Sequence, residues 1–128
     1  MSTYGYTKQV NYPFPEAVEK LRASLADQGF GILTEIDVKA TMKKKLDKDV
    51  DDYLILGACN PQLAAQAIEA EKEIGLLMPC NAIVYAKDMQ VFVSAMLPSV
   101  AMGFVNNPAL EGIAGQAENK LKAAIDNT

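Results

Sequence analysis

Apolar residues Phe14, Val18, Leu21 and Leu25 recur at steps of four, three and four, the spacing of one helix face. Pro15 suits the first turn of that helix and Gly29 its left-handed stop. Before it, Thr3–Val10 alternates loosely and predicts a strand, which Pro13 and Pro15 end. Phe30–Val38 predicts a second strand with Ile32, Thr34 and Ile36 on one face, although Leu33, Glu35 and Val38 do not keep the alternation cleanly. Asp37 is placed to cap a short helix, VKATMKKKL, before the acidic loop DKDVDD.

Tyr53–Cys59 is almost wholly apolar, as a strand covered on both faces would be. Asn60 and Pro61 then supply an N-cap and a first helical residue, predicting a helix over PQLAAQAIEAEKEI. Asn81–Tyr85 and Val91–Met96 read as two strands joined by a short hairpin-like link. Pro98–Pro108 reads as a loop of unusual apolar content. Asn107-Pro108 repeats the helix start, and Leu110, Ile113, Ala114, Ala117, Leu121 and Ala124 line one face of a last helix. The order is β-α-β-α-β-α-β-β-α. It predicts an α+β fold: a single mixed, mainly antiparallel sheet with helices packed mostly on one face. No linker or repeat divides residues 1–128, so a single domain is expected.

Composition narrows the chemistry. Hydrophobic residues make up 50% and charged residues 22% of the 128, which is a globular balance. The formal charge of −4 argues against a nucleic-acid partner. The basic run Lys43–Lys45 beside Asp47 and Asp49 reads as a solvated helix end. Histidine is absent, which removes Ser-His and Cys-His pairs and every His-ligated metal site. No apolar stretch is long enough for a membrane span, and the polar start lacks the pattern of an export signal. The expected location is therefore the cytoplasm, with both thiols reduced.

Cys59 and Cys80 are the only cysteines, and each is followed by asparagine. Three readings compete for these Cys-Asn pairs. Free cysteine packs as a small buried hydrophobe, and Asn60 is explained by helix capping. Alternatively Cys59, before a helix start, is a stabilised thiolate and the candidate catalytic residue of a redox or sulfur-handling protein. Thirdly, the free amides at the Asn60-Pro61 helix start receive a small anion or polar ligand. In that reading Cys59, Asn60, Pro61, Cys80 and Asn81 line a polar pocket, with Met102 and Phe104 as wall or lid.

Two cysteines cannot close a thiolate zinc site within one chain, so no metal and no cofactor are expected. Glu35 and Asp37 share a strand face, but an edge charge and a helix cap are their ordinary roles. Spacing does not fix whether the thiols meet: a parallel crossover separates them, and an antiparallel return brings them to one end of the sheet.

Two blocks, GFGILTEIDVKATMKKKL at residues 29–46 and LGACNPQLAAQAIEAEKEIGLLMPCN at residues 56–81, carry a resemblance over nearly the whole chain. The chain resembles the bacterial and archaeal family catalogued as domain of unknown function 302. The resemblance implies a compact α/β domain of its own fold type and a homodimer, and it names no activity. The family often places an acidic residue before the proline that ends the last strand; here Leu97 precedes Pro98. The leading expectation is a homodimeric ligand-binding or sensing module. The runner-up is thiol chemistry at Cys59. These residues do not decide whether the protein is an enzyme.

Overall fold

The structure is a computed structural model and describes residues 2–128. Five strands form one open sheet: β1 (Gly5–Val10), β2 (Gly31–Asp37), β3 (Tyr53–Cys59), β4 (Cys80–Lys87) and β5 (Gln90–Met96). Their spatial order is β1-β5-β4-β3-β2, and every pairing is antiparallel. The first two strands are therefore the two edges. Helix α1 (Phe14–Asp27) joins them, and its 14 residues span about 21 Å, against about 19 Å for four strand spacings. Gly29 follows α1 with φ of 83°, as a left-handed stop requires.

Helix α5 (Pro108–Asp126) packs beside α1 and over β5 and β1. Alternation along the strands sends Leu54, Leu56, Ala58, Ala82, Val84, Val93 and Ala95 under these helices. There they bury with Leu21, Leu25, Leu121 and Ile125 as the main core. A second, smaller core gathers Ala67, Ile74, Met102, Leu110 and Ala114. It lies around α3 (Pro61–Ala70), α4 (Pro98–Ala101) and the first part of α5.

Caps form where the sequence places them. Asp37 accepts from the Ala40 amide at the start of α2 (Val38–Leu46), Asn60 from Leu63, and Asn107 from Ala109. Two segments depart from expectation. The predicted helix through Ile74 stops at Ala70. The Asn107 side chain donates to the Ala70 carbonyl at 2.9 Å, and a 3-10 turn over Lys72–Leu77 brings Ile74 into the second core. The predicted loop at 98–108 instead contains α4 and a 3-10 turn, Gly103–Val105. The Ser99 amide and hydroxyl both donate to Glu118, tying α4 to α5.

In β2 the register slips between Ile32 and Thr34, with Leu33 as the extra residue. Ile32 therefore faces the helices, opposite Ala58, while Thr34 and Ile36 turn to the other side. That is why the alternation in this segment is imperfect. β4 and β5 are joined by Asp88-Met89, both at positive φ (52° and 63°), the backbone of a two-residue hairpin turn without its usual glycine.

On the uncovered side of the sheet, Gly57 lies opposite Thr34. A Cβ there would collide with the Thr34 hydroxyl and sit 2.8 Å from Pro79 Cγ. Gly57→Ala is expected to lower stability by about 1–3 kcal/mol, as overpacking does. Thr34→Ala in the same chain should recover part of the loss. Urea unfolding of the three variants and wild type checks both statements.

Candidate functional site

The antiparallel return of β4 on β3 brings the two cysteines to the same end of the sheet. Cys80 faces Ala58 across the ladder, and Cys59 ends β3 one residue further on. Cys80 shares the helix-covered face with Ala82 and Val84. Asn81 alternates away and pairs with Gly57 on the uncovered face. Asn60 is committed to its cap: Oδ1 accepts from the Leu63 amide at 3.3 Å. Its amide nitrogen lies where a Cβ on Gly29 would come within 3.2 Å. Pro61 is exposed at the first position of α3.

Cys59, Asn60 and Cys80 line a cavity of about 40 Å³. Its other walls are Met78, Met102 and aliphatic or aromatic groups that include Phe30, Leu63 and Ile113. The space lies on the seam between the two cores and is almost entirely apolar. Of the five residues expected to line one pocket, this cavity brings together Cys59, Asn60 and Cys80, while Asn81 alternates to the other face and Pro61 lies outside. Met102 forms part of the wall, as expected. Phe104 does not, being 70% exposed.

Burial, reinforced by the nearby Cys59, pushes the Cys80 thiol up from 9.0 to about 11. Both cysteines are free. Among the described residues no group of three or more His, Cys, Asp or Glu side chains is placed to hold a metal. The carboxylates considered in the sequence have ordinary partners. Glu35 meets Arg22 at 2.6 Å, and Asp37 caps α2. Lys43 pairs with Asp47 and Asp49, so the basic run is a solvated helix end.

A much larger concavity lies on the uncovered face of the sheet, a groove of about 530 Å³. Tyr53, Tyr85 and Phe92 stack across β3, β4 and β5, with ring centres 5.8 and 5.2 Å apart. Each pair is directly opposed in register, the geometry in which cross-strand rings meet best. Asn81, Ile83, Lys87, Ser94 and Thr7 are among the groove's other lining residues, and Thr7 and Ser94 share a hydrogen bond of 2.7 Å. Sequence reasoning identified Asn81 alone among these. The missed signal is the two-step spacing of Asn81, Ile83, Tyr85 and Lys87 along β4, matched by Phe92, Ser94 and Met96 along β5. A third feature is apolar surface at one end of the fold. Leu76 and Phe104 are 84% and 70% exposed there, and Val105 and Leu77 lie beneath them.

The weakened acidity of Cys80 has a measurable consequence. The folded state retains a proton that the unfolded thiol loses, so stability is complete below pH 9.0 and falls as pH rises toward about 11. Cys80→Ala should remove this part of the slope in denaturant titrations across that window. In native wild type, alkylation of Cys80 should stay slow at pH 8 and accelerate on unfolding.

No helix among the described residues is long and apolar enough to cross a membrane. A comparison with curated proteins finds no match. Among solved structures the chain is similar to the uncharacterized conserved protein DUF302 from Bacillus stearothermophilus. The two share 31% identity, with 98% of each chain covered and a TM-score of 0.92. Residues 6–128 match the family described as Domain of unknown function DUF302. Its sequence and its backbone thus agree, and the chain belongs to the DUF302 family.

Proposed function

We propose that the protein is a homodimeric binding or sensing module whose small-molecule ligand lies on the uncovered face of the sheet. The groove over Tyr53, Tyr85 and Phe92 carries this reading. Its volume of about 530 Å³ falls within the range of small-molecule sites, and its make-up is theirs: an aromatic floor with a few polar groups. A flat organic body would stack on Tyr85 and Phe92. A polar or anionic substituent would reach Asn81, Ser94 or Lys87. Of the residues expected to bind ligand, Asn81 alone belongs to this site.

The ligand class is tested by titrating isotope-labelled protein with planar aromatic carboxylates and following backbone amide shifts. Shifts should concentrate on Tyr53, Asn81, Tyr85, Phe92 and Ser94. Tyr85→Ala should weaken binding about 2- to 10-fold, matching roughly 0.5–1.5 kcal/mol per aromatic pair. Shifts confined to Cys59 and Asn60 would sink the groove reading.

The dimer half of the proposal draws on the apolar surface around Leu76 and Phe104. Gly112 and Gly115 of α5 support it, since a Cβ at either would meet nothing within 4 Å in this chain. Their bareness serves no internal contact and leaves room for a partner's backbone. Phe104→Glu should convert the dimer to a folded monomer in sedimentation, because the exposed ring contributes little to the chain's own core.

Thiol chemistry at Cys59 is the second reading. It is favoured by the two cysteines sharing one cavity. The raised pKa of Cys80 counts against a resolving thiolate at neutral pH.

A further inference from the structure

On the uncovered face the register sets side chains in rows that cross the sheet. Gln9, Phe92, Tyr85 and Tyr53 form one row. Thr7, Ser94, Ile83 and Ile55 form the next, two residues further along each strand and so about 7 Å away. Resting on the groove as the ligand site, we propose that its ligand is an aromatic carboxylic acid. The Thr7–Ser94 hydroxyl pair, together with the Asn81 amide, receives the carboxylate.

Counting hydrogens calls for an acceptor. Each hydroxyl has one hydrogen to donate. The 2.7 Å bond between Thr7 Oγ1 and Ser94 Oγ uses one of the two. Among the described residues neither hydroxyl has another hydrogen-bond partner, so the second hydrogen remains to be donated. Ser94 is only 7% exposed, yet both residues line the groove. The remaining donor is thus largely screened from bulk water and serves whatever the groove holds. Bare Gly5 brings a third hydroxyl to the same corner: a Cβ there would lie 2.9 Å from Ser2 Oγ and 3.2 Å from Ser94 Oγ.

Charge and spacing select a carboxylate. Among the groove's lining residues Lys87 is the one with a full charge, and none is acidic. An anion therefore meets no like charge there, and a cation meets no counter-charge. Hydrogen bonds to a charged acceptor are also shorter and stronger than those to a neutral carbonyl. Ser94 faces Ile83 across the ladder, so Asn81, two residues before Ile83, is its diagonal neighbour. Such neighbours stand about 7–8 Å apart, which leaves width for a carboxylate with a hydrogen bond of about 2.8 Å on either side. The acid then lies along the strands, its carboxylate between Ser94 and Asn81 and its ring toward Phe92 and Tyr85.

The test titrates isotope-labelled protein with 2-naphthylacetate and, in parallel, with 2-naphthylethylamine. The amine carries the same ring on a similar arm but has no acceptor at neutral pH. Wild type should bind the acid at least about tenfold more tightly. The acid alone should shift the amides of Thr7, Ser94 and Asn81. The Thr7→Val/Ser94→Ala variant removes both hydroxyls and little volume. It should lose about 10- to 100-fold in affinity for the acid, with affinity for the amine little changed. Lys87→Ala should cost about fivefold or less, as loss of an exposed charge does. Three results would each overturn the carboxylate assignment: equal binding of acid and amine by wild type, wild-type affinity for the acid in the double variant, or a larger loss from Lys87→Ala than from the double variant. In each of these cases shifts at Tyr85 and Phe92 would leave the groove standing as the ligand site. Absence of shifts there with either probe would sink the groove reading and the carboxylate assignment together. The wild-type comparison does not depend on any variant folding.

Discussion

Ala58 faces Cys80 across the β3–β4 ladder, and both candidate sites hang on that pairing. Because the strands run antiparallel, the residue that ends one and the residue that begins the other occupy the same end of the sheet. Because side chains alternate, the next residue along, Asn81, is sent to the opposite face. One ladder thus separates the sequence-adjacent Cys80 and Asn81 into two environments. A small apolar cavity lies on one side and an aromatic groove on the other. A slip of one residue would exchange them, turning Leu56 and Val84 out of the core.

The register is fixed from several directions. On the helix side, Leu56, Ala82 and Val84 are fully buried, so the apolar pattern tolerates only one alignment. On the open side, Gly57 admits Thr34 and Pro79 and no larger residue. At the far end, the two-residue turn at Asp88-Met89 sets Tyr85 against Phe92. The groove's stacked floor therefore depends on a hairpin turn in the left-handed region, which Asp88 tolerates and Met89 has no intrinsic preference for.

Much of the architecture was legible. Helix spacing in Phe14–Leu25, the Asn-Pro starts and the Asp37 cap all express local chemistry, and local chemistry is written in consecutive residues. The early end of α3 was not legible, because its cause is Asn107, distant in the chain, which takes the Ala70 carbonyl. The bulge at Leu33 showed only as broken alternation. For the site, the cysteines were readable as a pair of interest, yet their meeting depended on strand direction, which the crossover length leaves open. The aromatic floor is a relation among three strands, and no single segment displays it. Met78 and Met102 line the cavity from segments whose structure is set by tertiary packing.

The strand order carries a consequence for biosynthesis. β1 is made first, but its sole sheet neighbour is β5, made after all the other strands. Until β5 has left the ribosome, Tyr6 and Val10 have no ladder to join, and the edge of β4 that β5 will cover stands open. Helix α5, which packs over both strands, comes later still. Closure of the domain is thus a late, long-range event, and the nascent chain carries an unpaired strand through most of its synthesis.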